Sequence, residues 1–164
     1  MAQSKKIRDT LSVFIEIPKG SRDKYEYNEK KRIFRLDRIL SLRYPVDYGI
    51  IPKTLSTDGD PLDAVVLSTM PMFSGEVIEA RILGVLMMAD EGKRDDKILC
   101  VPVYDLKLDS LVDLASVNKS TLKKIGHFFA TYKKREGKEV QVLGWKGITP
   151  AKKVILAAVQ RYKK

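Results

Sequence analysis

Apolar and polar positions along the chain mark out a series of short strands followed by two late helices. Leu11, Val13, Ile15 and Ile17 alternate with Phe14 and Glu16, which predicts a strand ended by Pro18-Lys19-Gly20-Ser21. Lys24-Tyr25-Glu26-Tyr27 and Arg32-Ile33-Phe34-Arg35-Leu36 read as paired strands around a turn at Asn28 to Lys31. Two prolines and a glycine bracket Tyr48 in Tyr44 to Pro52, which argues for a shaped loop or short strand. Ala64-Val65-Val66-Leu67, Glu76 to Met88 and Ile98 to Val103 follow as apolar runs of strand type. Leu122, Ile125, Phe129 and Tyr132 recur at helical steps, with Ser120 or Thr121 as expected caps and Gly137 as the expected close. Val140 to Trp145 reads as a last strand, and Thr149 to Lys164 as a terminal helix starting near Pro150.

The connecting turns change this picture, because two of them gather acids. Asp58-Gly59-Asp60-Pro61-Leu62-Asp63 places three carboxylates on a stiff turn feeding a buried strand. Asp90-Glu91-Gly92-Lys93-Arg94-Asp95-Asp96-Lys97 repeats the arrangement ahead of Ile98. Two unit charges about 5 Å apart repel by roughly 3 kcal/mol at an effective dielectric of about 20. Such clusters attract cations, and all-oxygen ligation suits Mg²⁺ or Mn²⁺. One acidic turn is ordinarily a solvated loop, but two feeding buried strands favour a metal site. The spacing excludes an EF-hand, since Asp63 and Thr69 stand where its glycine and glutamate are needed. Glu16, beside Phe14, is either an inward-pointing acid or an exposed edge glutamate. In a strand, Lys24 and Glu26 share one face, as an ion pair would require.

Composition narrows the classes. The 164 residues, 44% hydrophobic and 32% charged, fit one domain covering 1–164 with a substantial core. The lone Cys100 lies in an apolar run, so no intrachain disulfide or cysteine zinc cage is available and a buried structural thiol is expected. The only histidine, His127, has no partner in sequence and reads as structural. No secretory or membrane-spanning segment is evident, which makes a cytoplasmic location the expectation. Glycine-rich phosphate loops and nucleophile elbows are absent, so Walker and acyl-transfer chemistry have no support. The net charge of +10 is uneven: residues 119–164 hold 13 Lys/Arg against 2 Asp/Glu. That keeps an anionic partner for residues 119–164 in view.

Taken together, these residues resemble the soluble, Mg²⁺-dependent, single-domain inorganic pyrophosphatases of prokaryotic type. The likeness rests on Asp58 to Ala64, Ile15-Glu16-Ile17-Pro18, Lys24-Tyr25-Glu26, Asp37-Arg38 and Tyr44-Pro45 with Tyr48-Gly49. It extends to Asp90-Glu91 with Asp95 and Lys97, and to His127-Phe128-Phe129 with Tyr132-Lys133. The resemblance implies an α+β, mainly β fold: a small closed OB-like β-barrel with two flanking C-terminal helices. It implies hydrolysis of inorganic pyrophosphate to two orthophosphates by a metal-activated water in a carboxylate-rich, multi-Mg²⁺ site. Asp58, Asp63, Asp90 and Asp95 would be metal ligands, Glu16 and Glu26 would act on the metals through water, and Asp60 would be the general base. Lys24, Arg38, Tyr48, Lys97, Tyr132 and Lys133 would grip the phosphoryl oxygens. Mn²⁺ or Zn²⁺ are possible substitutes for Mg²⁺, and a homohexamer without membrane association is expected.

The chain departs from the pattern in three places. The stretch from Arg38 to Tyr44 is shorter than in most bacterial relatives, which bears on how Arg38 is aimed. Adjacent Asp95 and Asp96 leave the ligand open by one position, with the spacing to Lys97 favouring Asp95. The basic helical end is unusual among members of this length. The competing expectation is a binding module, an OB-like barrel whose basic flank holds nucleic acid. A third combines the two, an enzyme tethered to an anionic surface by lysines such as Lys119, Lys123, Lys124, Lys152 and Lys153.

Overall fold

A computed structural model describes residues 9–164. Nine strands and two α-helices follow in the order β1 (Thr10–Ile17), β2 (Asp23–Asn28), β3 (Ile33–Ile39), β4 (Asp47–Ile51), β5 (Leu62–Val66), β6 (Val77–Asp90), β7 (Lys93–Arg94), β8 (Lys97–Pro102), α1 (Lys119–Thr131), β9 (Val140–Lys146) and α2 (Ile148–Lys163). Five strands close on themselves in the order β1-β4-β5-β8-β6, with β6 pairing back to β1. The pairs are antiparallel except β5–β8, which is parallel. Closure leaves no free edge around the ring. β7 and β9 extend from β6, and β2 with β3 forms a separate hairpin. This is the mainly β barrel with two late helices that the resemblance implies.

Alternation along the strands divides the core in two. Ala64 and Val66 of β5 and Ile98 and Cys100 of β8 join one cluster, which Ala151, Ile155 and Ala158 of α2 complete. Val65, Leu99 and Val101 point the other way, into a cluster with Ile125, Phe128 and Phe129 of α1. The two-residue period of a strand produces this split directly. It also fixes Asp63 and Lys97: each is two residues before a member of the second cluster, and the two are register partners across β5–β8. Cys100 is buried with Sγ 3.6 Å from the Val65 carbonyl, and burial pushes its thiol up to about 12. It is the inert thiol expected.

Local details refine several expectations. The Tyr44 to Pro52 segment contains a regular strand, β4, buried at every position. Gly49 permits it: a Cβ there would stand 2.1 Å from the Phe14 carbonyl oxygen of β1. The cap of α1 is Asn118 rather than Ser120 or Thr121, because the Asn118 side chain accepts the Ser120 N–H at 2.8 Å. α1 stops at Thr131, and Gly137, at φ +68°, closes a separate 3₁₀ turn instead. α2 starts at Ile148, two residues before Pro150, which sits in the first turn, where its missing N–H leaves no bond unmade. His127 is exposed on α1.

Candidate active site

Backbone irregularities aim the acids. In β1 the register slips between Ile15 and Ile17, so Ile15 packs in the first core cluster and Ile17 in the second. The bulge falls at Glu16, which is 5% exposed, so the inward alternative holds. Glu16 accepts the Tyr27 N–H at 2.7 Å. Tyr27 is fixed in turn by stacking on Phe14, with ring centroids 4.2 Å apart. A second slip, between Lys24 and Tyr25 against β3, sets Lys24 opposite Arg38. Lys24 pairs with Glu26 at 3.4 Å and with Asp37 at 3.5 Å.

Both acidic turns are held by their own backbone. Gly59 adopts φ +91° and donates to the Ser56 carbonyl, Ser56 donates to the Asp60 carbonyl, and Asp58 Oδ1 accepts the Asp60 N–H at 3.0 Å. β6 and β7 form a two-residue hairpin in which Glu91 and Gly92 are both left-handed, at φ +50° and +81°. Beyond it Asp95 and Asp96 diverge. Asp96 turns to Arg94 and accepts the Met88 N–H, while Asp95 Oδ1 meets Lys97 Nζ at 2.9 Å.

These elements deliver twelve of the thirteen anticipated side chains to one cleft of about 180 Å³. Seven acids line it, Glu16, Glu26, Asp58, Asp60, Asp63, Asp90 and Asp95, against the three cations Lys24, Lys97 and Lys133, with Tyr48 and Tyr132 alongside. Arg38 is the exception: its Nη1 pairs with Glu136 at 2.5 Å, and its Nε is buried without a hydrogen-bond partner. Tyr25, Tyr27, Ile50 and Pro61 also line the cleft and were not anticipated. Tyr27 carried no chemical signal, since it contributes its backbone N–H to Glu16. Glu136 escaped notice because its link to Arg38 spans 98 residues of sequence. A larger cavity of about 750 Å³ adjoins, sharing Glu26, Tyr27, Asp60 and Pro61. The acids converge in the smaller one.

Lys97 anchors the floor. It is 1% exposed, its Nζ is 2.6 Å from Asp63 Oδ2, and the rings of Tyr48 and Phe129 lie 5.5 and 5.6 Å away. Burial works against its charge, but Asp63 and Asp95 outweigh burial and hold the ammonium well above its ordinary pKa. Lys133 bonds Asp90 Oδ2, while Asp90 Oδ1 is buried without a partner. Burial pushes the Glu16 carboxyl up to about 8, and Asp63 and Glu26 add to the effect against the Tyr27 bond. Asp60 and Asp95 are also raised, first by desolvation and then by neighbouring carboxylates. Burial raises the Tyr48 and Tyr132 phenols, which keeps both as proton donors.

The donor set suits a hard cation. Oxygen ligands, an orphaned Asp90 oxygen and an excess of carboxylate over ammonium all favour divalent charge. Among the described residues no three acidic, histidine or cysteine side chains converge into a ready cage.

A closed barrel with a carboxylate-rich, lysine-floored cleft defines a class, the metal-assisted phosphoryl hydrolases. The comparisons with known proteins specify it. The family model described as inorganic pyrophosphatase matches residues 13–163. The inorganic pyrophosphatase of Methanosarcina acetivorans is 49% identical over 157 residues, covering 94% of each chain. The crystal structure of inorganic pyrophosphatase from Thermus thermophilus superposes with a TM-score of 0.90 at 41% identity, covering 100% of this chain and 97% of that one. One from Neisseria gonorrhoeae gives 0.92 at 38% identity, covering 95% and 92%. The chain therefore belongs to the inorganic pyrophosphatase family. It is a diphosphatase that hydrolyses inorganic pyrophosphate to two phosphates. The nucleic-acid module gives way to this reading. Among the described residues no helix is long and apolar enough to cross a membrane.

Proposed function

We propose that hydrolysis takes place in the acid-lined cleft, with Asp60 as general base and Mg²⁺ as the working cofactor. The convergence of twelve anticipated side chains on one small cleft carries this reading. Asp58, Asp63 and Asp95 would hold one ion, Asp63 also reaching a second, and Asp90 with Asp95 a further one. Glu16 and Glu26 would act through water. Asp95 is preferred to Asp96 because Asp96 is committed to Arg94 and faces away from the cleft. When bound, divalent ions neutralise phosphoryl oxygens and lower the pKa of water. Mn²⁺ or Zn²⁺ could substitute.

The chain's own groups perform the rest. Asp60 stands at the rim, and its raised pKa makes it a better proton acceptor than an ordinary aspartate. It takes the proton of the attacking water as the new P–O bond forms and the bridging P–O bond breaks. Lys24, Lys97 and Lys133 offer point charges to the phosphoryl oxygens, and Tyr48 and Tyr132 offer hydrogen bonds. Lys97, fixed by two carboxylates and two rings, needs little reorganisation, which is where electrostatic catalysis is strongest. Arg38 lies across the hairpin from Lys24 and would reach substrate after parting from Glu136.

The described chain functions as one domain within residues 1–164, in the cytoplasm and as a homohexamer. Exposed Phe73, Val77 and Leu106, 69, 61 and 75% accessible, support self-association. The basic 119–164 segment remains available to an anionic partner. Asp60→Asn tests the assignment of the base. We expect kcat to fall by about 10²–10⁴ with an unchanged thermal melt; undiminished turnover would remove Asp60 from the role.

A further inference from the structure

Arg38 is the one anticipated side chain outside the cleft, and its contacts show what holds it there. Its backbone has little freedom. β3 pairs it with Lys24, and just beyond it the Leu40 N–H donates to the Arg22 carbonyl and the Tyr44 N–H to the Ser21 carbonyl. The choice of partner therefore falls to the side chain. Among the described residues that side chain makes one hydrogen bond, from Nη1 to Glu136 Oε2 at 2.5 Å. Nε lies 3.5 Å from Asp37 Oδ2 without bonding it. Most of the fork is unspent, although a guanidinium can serve two oxygens of one anion at once.

Glu136 ends a 3₁₀ turn, Lys134–Glu136, whose flanks belong to the site. On one side Tyr132 and Lys133 line the cleft, and Lys133 bonds Asp90. On the other, Gly137 turns at φ +68° and the Glu139 carbonyl accepts the Glu91 N–H at 3.0 Å. The turn is thus tied to the β6–β7 hairpin at both ends, and Glu136 reaches β3 from a fixed base. The Arg38 and Glu136 side chains are 27 and 26% exposed, so the pair can part without stranding a fully buried charge. A carboxylate and a phosphoryl group offer a guanidinium the same paired oxygens. We propose that Glu136 is a positioning residue that competes with the substrate for Arg38. Pyrophosphate gains Arg38 only by displacing this carboxylate, and the carboxylate's return helps the phosphate product leave. The inference rests on the reading of Arg38 as a substrate-binding residue.

Calorimetry on the full chain in Mg²⁺, with methylenediphosphonate as a non-hydrolysable analogue of pyrophosphate, separates the two claims. Arg38→Gln should weaken the analogue by about tenfold, through loss of a charge-assisted contact. Glu136→Gln keeps the side chain's shape, removes the competing charge and should tighten binding by about three- to tenfold. In the Arg38→Gln background the same change at Glu136 should alter binding by less than about twofold. In steady-state assays of Glu136→Gln, KM for pyrophosphate should fall and inhibition by phosphate should strengthen. A merely structural Glu136 would act in the opposite direction, because a loosened turn misplaces Lys133. Binding that is unchanged or weaker in Glu136→Gln, with Arg38→Gln still weakened, overturns the competition and leaves Arg38 in its role. Equal tightening in the Arg38→Gln background also overturns it, since a general change of charge would then suffice. If Arg38→Gln binds the analogue as the wild type does, the Arg38 reading falls and the competition falls with it.

Discussion

Glu16 shows how a single residue ties stability to function. Its carboxyl is pushed up to about 8 chiefly by burial, so the folded chain favours the protonated form. In the unfolded chain the same group ionises near 4.5. Between these values the folded state holds the extra proton, so stability falls as pH rises, by at most about 1.4 kcal/mol per pH unit for one proton. Metal-free protein should therefore lose stability from about pH 4.5 to about 8, and Glu16→Gln should flatten that slope. Urea denaturation in chelator across the range checks this; an unchanged slope in the variant would contradict it. The inward aim of Glu16 was only half legible in the sequence. Alternation put it opposite Ile15 and Ile17, but the bulge that buries it depends on pairing with β4. That Asp95 and not Asp96 lines the cleft agrees with the spacing to Lys97, whereas the diversion of Arg38 to Glu136 has no signal in the sequence.

At the scale of elements, the site depends on strands that approach more closely than a side chain allows. β4 carries Tyr48, and its neighbour Gly49 lies against β1 with no room for a Cβ. Gly49→Ala would drive β4 from the Phe14 carbonyl and disturb both Tyr48 and the adjoining Glu16 bulge. Overpacking of this kind costs about 1–3 kcal/mol or more. We expect a lowered urea midpoint together with reduced turnover; a stability equal to wild type would refute the close-packed reading. Strand existence and order of appearance were legible, because alternation and turn residues are local. Of the two alternatives for Tyr44 to Pro52, shaped loop or short strand, the strand β4 is the one that forms; the prolines flank it and Gly49 marks its close approach to β1. Helix caps were misplaced: Asn118 lies before the periodic run, and Ser120 supplies an amide rather than the cap.

For the whole molecule, charge and apolar surface pull apart. Seven of the acids gather in the cleft, while the cations of residues 119–164 other than Lys133 lie outside it. Phe73, Val77, Val103, Tyr104 and Leu106 lie near one end of the barrel, where Val103 bonds the Glu79 carbonyl and Tyr104 meets Met72. A surface of this kind suits contact with other copies. Analytical ultracentrifugation should show a hexamer for the wild type and smaller species for the double variant Phe73→Glu, Leu106→Glu. A monomeric wild type would exclude the hexamer. Sequence pattern could not reveal this surface, since residues far apart in the chain come together only when the barrel closes.

The most direct measurement is phosphate release from pyrophosphate with Mg²⁺ present and with chelator added. Seven acids against three lysines leave the cleft too negative for a bare pyrophosphate anion, so turnover should require the divalent ion and vanish when it is removed. Turnover undiminished by thorough chelation would contradict a carboxylate cleft that works through metal.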